Sequence, residues 1–292
     1  MDFFNVKQQY YTGNFKEALS YLQKSADDNS EVAEFYKAQS LRAIGQLKSF
    51  KSQSSLGPVL ETYVAGLETR NLVDLENAVS KHKSLFSLNF LASALAAQGE
   101  FESAIQTCNE GLTGELGPGA TELALLAVQI SVLDPRKASK GAQILQNYLA
   151  ATEDTYANED EIIINLAESY VNFALGREVS GSNFYFFEEL SQTLPSWKTQ
   201  LALLSSHLQQ SNLPEAQAIV DLLESEFYQT QAESAKLYTT ELIANKITLA
   251  AMQGEHVDEL REKLLEISPN HPLSQDYRAN DAKFDEIVAK YA

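Results

Sequence analysis

The side chains that most often carry out chemistry in enzymes are few and scattered in this sequence. The four histidines, His82, His207, His256 and His271, lie too far apart in the chain to match a metal-ligand spacing. The only cysteine, Cys108, lies on the apolar stripe of a predicted helix, so we interpret it as a core residue rather than a nucleophile, which would need a neighbouring base.

Two short stretches have the composition of ligand-binding loops but not the required spacing. NEDE at 158–161 groups three carboxylates, whereas a calcium loop distributes its ligands over about twelve residues around a glycine. We interpret this stretch as a helix start, where negative charge is favourable. GELGPGA at 114–120 lacks the lysine of a phosphate-binding loop and is typical of a turn. We therefore predict no catalytic, cofactor or metal site and no enzymatic activity.

The charge of the chain limits its partners. It has 22 Lys and Arg against 40 Asp and Glu, a formal net charge of −18. Such a field repels nucleic acid and anionic lipid, and it either attracts a basic protein surface or only keeps the chain soluble. No stretch approaches the roughly 20 apolar residues of a membrane span, and the N-terminus lacks the pattern of a signal peptide. These features predict a cytosolic protein without membrane insertion.

The apolar pattern of residues 88–112 predicts a pair of antiparallel helices. Leu88, Leu91, Ala92 and Leu95 form one helical stripe, and Phe101, Ala104, Ile105 and Cys108 form the next. Gly99 between them suits the left-handed conformation that ends a helix. Such a hairpin buries one face on its own partner and needs neighbouring hairpins for the other.

Partial copies of this hairpin recur along the chain, with irregular spacing. They lie near residues 10–25, 35–47, 160–195, 197–227 and 241–269, and further helices are predicted between 57 and 82. Helix pairs of about 34 residues with small residues at their contacts are typical of tetratricopeptide repeats. We predict an all-α protein, an α-solenoid of degenerate tetratricopeptide-like hairpins, as one domain over residues 1–292. Its C-terminal capping helix is expected at about 273–292.

Aromatic side chains are concentrated at two places that suit either packing or partner binding. Four aromatic residues follow one another at 184–187, and a helix cannot direct all of them to one face because successive side chains point about 100° apart. Tyr10 and Tyr11 form a second pair just before a turn. Trp197, at the start of the following helix, is predicted to be a packing anchor.

Several segments outside the repeat pattern resemble the epsilon subunit family of coatomer. They are MDFFNVKQQYYTGNF at the start, TELALLAVQ, NLAESYVNF, SNFYFFEELSQTLPSWKTQLALLSSHLQQ, and DAKFDEIVAKY at the end. The resemblance covers nearly the whole chain and includes residues that do not pack. It implies a non-enzymatic subunit of the COPI coat on vesicles that return from the Golgi to the endoplasmic reticulum, peripheral on the membrane through other coat subunits.

The same resemblance implies a partner and a binding mode. In that family the repeats curl around a protruding segment of the C-terminal domain of the coatomer alpha subunit. The predicted contact residues are the outward positions of the first helices, together with the aromatic pairs: Tyr10, Tyr11, Phe86, Asn89, Ser93, Ile164, Glu168, Asn172, Phe184, Tyr185, Leu201, Ser205 and Leu208.

Two other classes of protein stay open at this point. A tetratricopeptide adaptor or co-chaperone that grips acidic peptide tails would need Lys, Arg and Asn in its groove. The predicted groove positions are mostly apolar or acidic, which disfavours that alternative. An enzyme would need a buried polar cluster that faces a deep pocket.

Overall fold

The computed structural model describes residues 3–24, 30–52, 54–152, 158–177 and 181–291. In this part of the chain all regular elements are helical, so the prediction of an all-α solenoid is confirmed. The chain divides into two compact units, residues 1–183 and 184–292. The expectation of a single domain stays a prediction, because this division describes packing rather than independent folding.

Unit 1 contains ten α-helices. They are α1 (Phe4–Tyr11), α2 (Phe15–Gln23), α3 (Glu31–Ala43), α4 (Gly57–Thr69), α5 (Val73–Lys81), α6 (Leu85–Ala97), α7 (Phe101–Leu112), α8 (Ala120–Val132), α9 (Ala138–Ala151) and α10 (Glu161–Ala174). Consecutive helices pair as hairpins, namely α1 with α2, α4 with α5, α6 with α7, and α8 with α9.

The α6–α7 hairpin has the predicted construction. Ala92 and Ala104 are fully buried where the two helices meet, and Cys108 is buried beside them. Gly99 adopts a φ of 84°, the left-handed conformation that an L-residue with a side chain rarely takes. The turn glycine Gly13 of the first hairpin has the same conformation, with a φ of 88°. The repeated glycine therefore marks the ends of the first helices.

The first helices of the hairpins, with α3 and α10, stack side by side and close on themselves. α6 contacts α8, α8 contacts α10, and α3 contacts α6. The N-terminal helix α1 contacts α3 and also α10, so it joins the two ends of this row. We call α1, α3, α6, α8 and α10 the first-helix ring. Its closure places residues that are about 155 positions apart in contact.

Unit 2 consists mainly of the helices after residue 183. They are α11 (Ser182–Thr193), which begins at the boundary, α12 (Trp197–Gln209), α13 (Leu213–Glu224), the short α14 (Glu226–Gln229), α15 (Ala232–Gln253), α16 (Asp258–Ile267) and α17 (Pro272–Tyr291). Trp197 anchors the core as predicted, since it is buried and its Nε1 donates a hydrogen bond of 3.2 Å to the Tyr228 carbonyl. On α17, Tyr277 packs against α15 and α16 residues, whereas Phe284 is exposed.

The α8–α9 hairpin depends on a close approach at Gly141. A Cβ atom at this position would lie 2.9 Å from Ser131 Cβ, which sits close to the backbone of α8 and cannot rotate away. We expect Gly141→Val to lower the free energy of unfolding by about 2 kcal/mol, because overpacking forces the two helices apart. Ser139→Val adds the same side chain at an exposed position of α9 and should change it by about 0.5 kcal/mol or less. Urea unfolding followed by circular dichroism measures both, and equal effects would contradict the role of Gly141.

Candidate partner-binding groove

An open cavity of about 520 Å³ lies at the C-terminal ends of the ring helices in unit 1. Its walls come from α3, α6, α8 and α10. The lining residues are Arg42, Ser93, Ala96, Ala97, Leu126, Gln129, Ile130, Val132, Leu133 and Tyr170. We call this cavity the groove. The stacking of first helices therefore produces a concave surface, the kind of site that helical repeats use for partners.

The groove is an apolar surface with a single charged residue. Leu133 of its rim is 63% exposed, which leaves a large apolar side chain without cover. Arg42 is the only charged residue in the lining. Its guanidinium lies 5.6 Å from the centre of the Tyr63 ring, and no described carboxylate lies within ion-pair distance of it. The site thus suits an apolar segment of another protein better than a charged small molecule.

Tyr10 of α1 lies beside the groove. Its ring packs edge-on against Tyr11 at 4.9 Å and against Tyr36 at 5.4 Å. Burial raises the pKa of Tyr10 to about 12, although the positive charge of Arg42 acts in the opposite direction. The C-terminal end of α1 is therefore held against a residue of the groove wall.

A buried ion cluster fastens the other end of α1. The Lys7 ammonium is only 4% exposed and lies 3.0 Å from Glu159 Oε1, 3.6 Å from Glu122 Oε1 and in hydrogen-bond contact with Asp160. The backbone N–H of Phe3 also donates to Glu159, at 3.2 Å. We call these four charged residues the Lys7 cluster. It connects α1 to α8 and to the turn at 158–160 that precedes α10.

Neutral groups complete the coordination of the Lys7 cluster. The Tyr36 hydroxyl donates a 2.6 Å hydrogen bond to Glu122, and the Thr121 hydroxyl donates one of 3.1 Å to Asp160. Burial raises the pKa of Glu122, an effect that Lys7 opposes. Burial would lower the pKa of Lys7, but the surrounding carboxylates outweigh it and raise that pKa, so Lys7 keeps its charge at neutral pH.

The expected outward orientation is wrong for four of the predicted contact residues in unit 1. Tyr11, Phe86, Asn89 and Ile164 are buried. Asn89 donates a 3.3 Å hydrogen bond to the backbone carbonyl of Glu122, across the interior of the ring. The physical reason is the closure of the ring: the first helices curl tightly enough that side chains of α1 and α3 share the space these residues face.

The other predicted residues of unit 1 are accessible to different degrees. Ser93 is half-buried and lines the groove, next to Ala96 and Ala97 of the same helix. Glu168 is exposed and Asn172 half-buried on α10, and neither borders the groove. Partner binding by these residues stays a prediction.

In unit 2 the five predicted residues divide between surface and core. Tyr185 is 62% exposed, and Phe184 is half-buried with its ring 5.6 Å from that of Tyr185. Ser205 is half-buried and donates to Asn245 Oδ1 at 3.1 Å. Leu201 and Leu208 are buried in the core around Trp197, so their expected outward orientation is wrong. These leucines occupy the α12 stripe that packs onto α13 and α15.

The interpretation of the chemically suggestive residues is confirmed where the structure tests it. Cys108 is buried, and burial raises the pKa of its thiol to about 12. The NEDE stretch forms a short 3₁₀ turn, Asn158–Asp160, followed by the start of α10 at Glu161. Among the described residues no group of three or more His, Cys, Asp or Glu side chains is arranged to hold a metal ion. None of the described helices combines the length and apolarity of a membrane span.

Sequence reasoning missed Arg42 and Leu133 of the groove and Lys7 and Glu122 of the cluster. A usable signal existed for Glu122, which is a lone charge within the apolar run of α8. A carboxylate at such a position needs a buried partner. The sequence gave no comparable sign of where Lys7 would find that carboxylate.

The fold and the groove together define a helical-repeat scaffold that binds another protein rather than transforming a substrate. The model of the coatomer epsilon subunit family matches residues 1–292. The chain is also 45% identical to coatomer subunit epsilon of Saccharomyces cerevisiae over 293 residues, which cover 100% of this chain and 99% of the yeast protein. The chain therefore belongs to the coatomer epsilon subunit family. It is a structural subunit of the COPI coat, which acts in transport between the endoplasmic reticulum and the Golgi, and not an enzyme.

The environment of His207 next to Phe184 predicts a pH dependence of unit 2. Burial lowers the pKa of His207 below 6.5, an effect that Glu215 and Glu188 oppose, and the two rings lie 5.2 Å apart. The unfolded chain then binds more protons, so the contribution of His207 to stability is present above pH 6.5 and is lost as the pH falls through the lowered pKa. We expect the urea midpoint of the native chain to fall between pH 7 and pH 5 more steeply than that of His207→Gln.

Fluorescence of Trp197 measures this transition, because it is the only tryptophan of the chain and lies on the same helix as His207. The comparison with His207→Gln removes the contributions of all other titrating groups. Parallel pH profiles of the two proteins would contradict the assignment.

Proposed function

We propose that the groove of unit 1 binds a protruding segment of the C-terminal domain of the coatomer alpha subunit. In this role the chain stabilises the alpha subunit within the coat during retrograde transport from the Golgi to the endoplasmic reticulum. Its association with Golgi and vesicle membranes is then indirect, through the other coat subunits. The observation that carries the proposal is the exposed apolar rim of the groove at Leu133.

The composition of the groove supports a protein segment as the occupant. Most lining residues are apolar, and the polar ones, Ser93, Gln129 and Tyr170, can donate or accept hydrogen bonds to a backbone. A clamp for acidic peptide tails would need several cations, and the lining has one, Arg42. The groove therefore favours the coat partner over the co-chaperone alternative.

Variants of the groove test this proposal directly. Leu133→Ser removes the exposed apolar side chain, whose burial in the complex would contribute about 1.5–3 kcal/mol, and should raise the Kd for the alpha-subunit domain about tenfold or more. Ser93→Trp fills the groove and should weaken binding at least as much. Isothermal titration calorimetry with the purified C-terminal domain of the alpha subunit measures both effects.

The matched control is Val73→Ser, which removes an apolar side chain that is 57% exposed on α5 and does not line the groove. Its Kd should equal that of the native chain. If the Leu133 and Ser93 variants also bind with native affinity, the alpha subunit does not use this groove and the proposal fails.

Indirect membrane association has its own test. We expect the isolated chain to stay in the supernatant when it is centrifuged with vesicles that contain phosphatidylserine, because a net charge of −18 is repelled by an anionic surface. Vesicles of neutral phosphatidylcholine serve as the control for nonspecific adsorption. Co-sedimentation specific to the anionic vesicles would show that the chain contacts the membrane directly.

A further inference from the structure

The N-terminal helix α1, Phe4–Tyr11, has an unusual position in unit 1. It contacts its hairpin partner α2 and the neighbouring α3, and it also contacts α10 and the turn before it. The other ring helices, α3, α6, α8 and α10, contact one another in chain order, whereas α1 joins the first to the last. The perimeter of the first-helix ring is therefore closed by eight residues at one point.

The interior that α1 closes is filled with side chains. Lys7, Tyr11, Tyr36 and Glu122 are all buried there, and the hydroxyl of Tyr36 reaches Glu122. Tyr11 packs edge-on against Tyr36 at 6.1 Å. No partner segment can pass through the middle of the ring while α1 holds these side chains in place.

The groove that stays accessible is small for a stable complex. A cavity of about 520 Å³ presents roughly 300 Å² of wall if it is treated as a sphere, whereas a stable interface buries about 800 Å² on each partner. The apolar and amide side chains that would enlarge the surface, Phe86, Asn89 and Ile164, lie under the residues of α1 and α3. Release of α1 is the one local change that both opens the perimeter and uncovers this surface.

The contacts of α1 with the far side of the ring are polar and few. They are the Lys7 cluster and the hydrogen bond from the Phe3 backbone to Glu159. One ammonium faces three carboxylates, so the cluster carries excess negative charge in a poorly hydrated place. A buried ion pair contributes little net stability relative to its desolvation cost, although removal of one partner is strongly destabilising. Such a contact holds α1 in a single position but can be released without melting a large apolar core.

We infer that α1 is a strap, fastened by the Lys7 cluster, that must release from α10 for the alpha-subunit segment to enter the ring. The release rests on the free protein alone, whereas the identity of the entering segment rests on the proposed function. Lys7 is in this sense a positioning residue, since it acts on the partner only through the position of α1.

The first experiment measures release of the strap in the free, full-length chain. Glu159→Gln weakens the cluster at its most exposed carboxylate and leaves Lys7 paired with Glu122 and Asp160. We expect hydrogen–deuterium exchange of the amides of residues 4–12 to become about threefold to tenfold faster, with no change in α7. Lys7→Gln should increase this exchange further.

The matched control is Lys48→Gln, which breaks an exposed ion pair with Glu68 in the same unit. It should leave exchange in residues 4–12 unchanged. If Lys7→Gln fails to fold, Glu159→Gln decides the experiment, because it removes no cation from the buried cluster. Exchange that stays native in Glu159→Gln, or that rises equally in α1 and α7, would overturn the strap.

The second experiment measures the kinetics of binding to the C-terminal domain of the alpha subunit by surface plasmon resonance. If entry requires release of α1, Glu159→Gln should associate faster by about the factor seen in exchange, and Lys48→Gln should associate at the native rate. An unchanged association rate in Glu159→Gln, despite faster exchange of α1, would overturn gating by the strap.

The two inferences fail in distinguishable ways. If no variant and no native chain binds the alpha-subunit domain, the proposed function fails, while the exchange experiment still decides whether α1 is a strap. If the groove variants lose binding as expected but the association rate does not respond to the Lys7 cluster, the groove is correct and the strap is not a gate.

Discussion

The structure of unit 1 depends on one buried cation. Lys7 carries its charge into the ring of first helices, where Glu122, Glu159 and Asp160 surround it. Because an unpaired charge in such a place costs several kcal/mol, Lys7 can stay buried only while α8 and the turn before α10 keep their positions. The reverse also holds, since Glu122 loses its only counter-charge in the cluster if α1 leaves. A single polar contact thus fixes how tightly the row of hairpins curls.

The tightness of that curl decides which surface is available to a partner. Side chains in the middle of α6 and α10 face the interior of the ring and are covered, whereas the C-terminal ends of the same helices border the open groove. The apolar rim at Leu133 and the lone guanidinium of Arg42 lie at those ends. A repeat fold with the same helices and a wider curl would expose the middle of each helix instead. The location of the candidate site is therefore a consequence of ring closure and not of any one repeat.

Much of the architecture followed from local pattern. The helical stripes, the small residues Ala92 and Ala104 at the hairpin contact, and the left-handed Gly99 were predicted and are found, because each depends on residues within one hairpin. The buried Cys108 was predicted from the same stripe. The absence of a catalytic constellation and the resemblance to coatomer epsilon subunits also came from the sequence, and the full-length family match agrees with that resemblance.

The sequence by itself determined the helix pairs and the family, since periodicity, turn glycines and family-specific segments are properties of neighbouring residues. Only the tertiary structure decided that Phe86, Asn89 and Ile164 are covered, that Leu201 and Leu208 belong to the core of unit 2, and that Lys7 meets Glu159. The inward and outward sides of a repeat helix depend on the rotation between successive hairpins. Small rotations add up over many hairpins, so a contact between residues more than 150 positions apart is set by their sum and cannot be read from any single repeat.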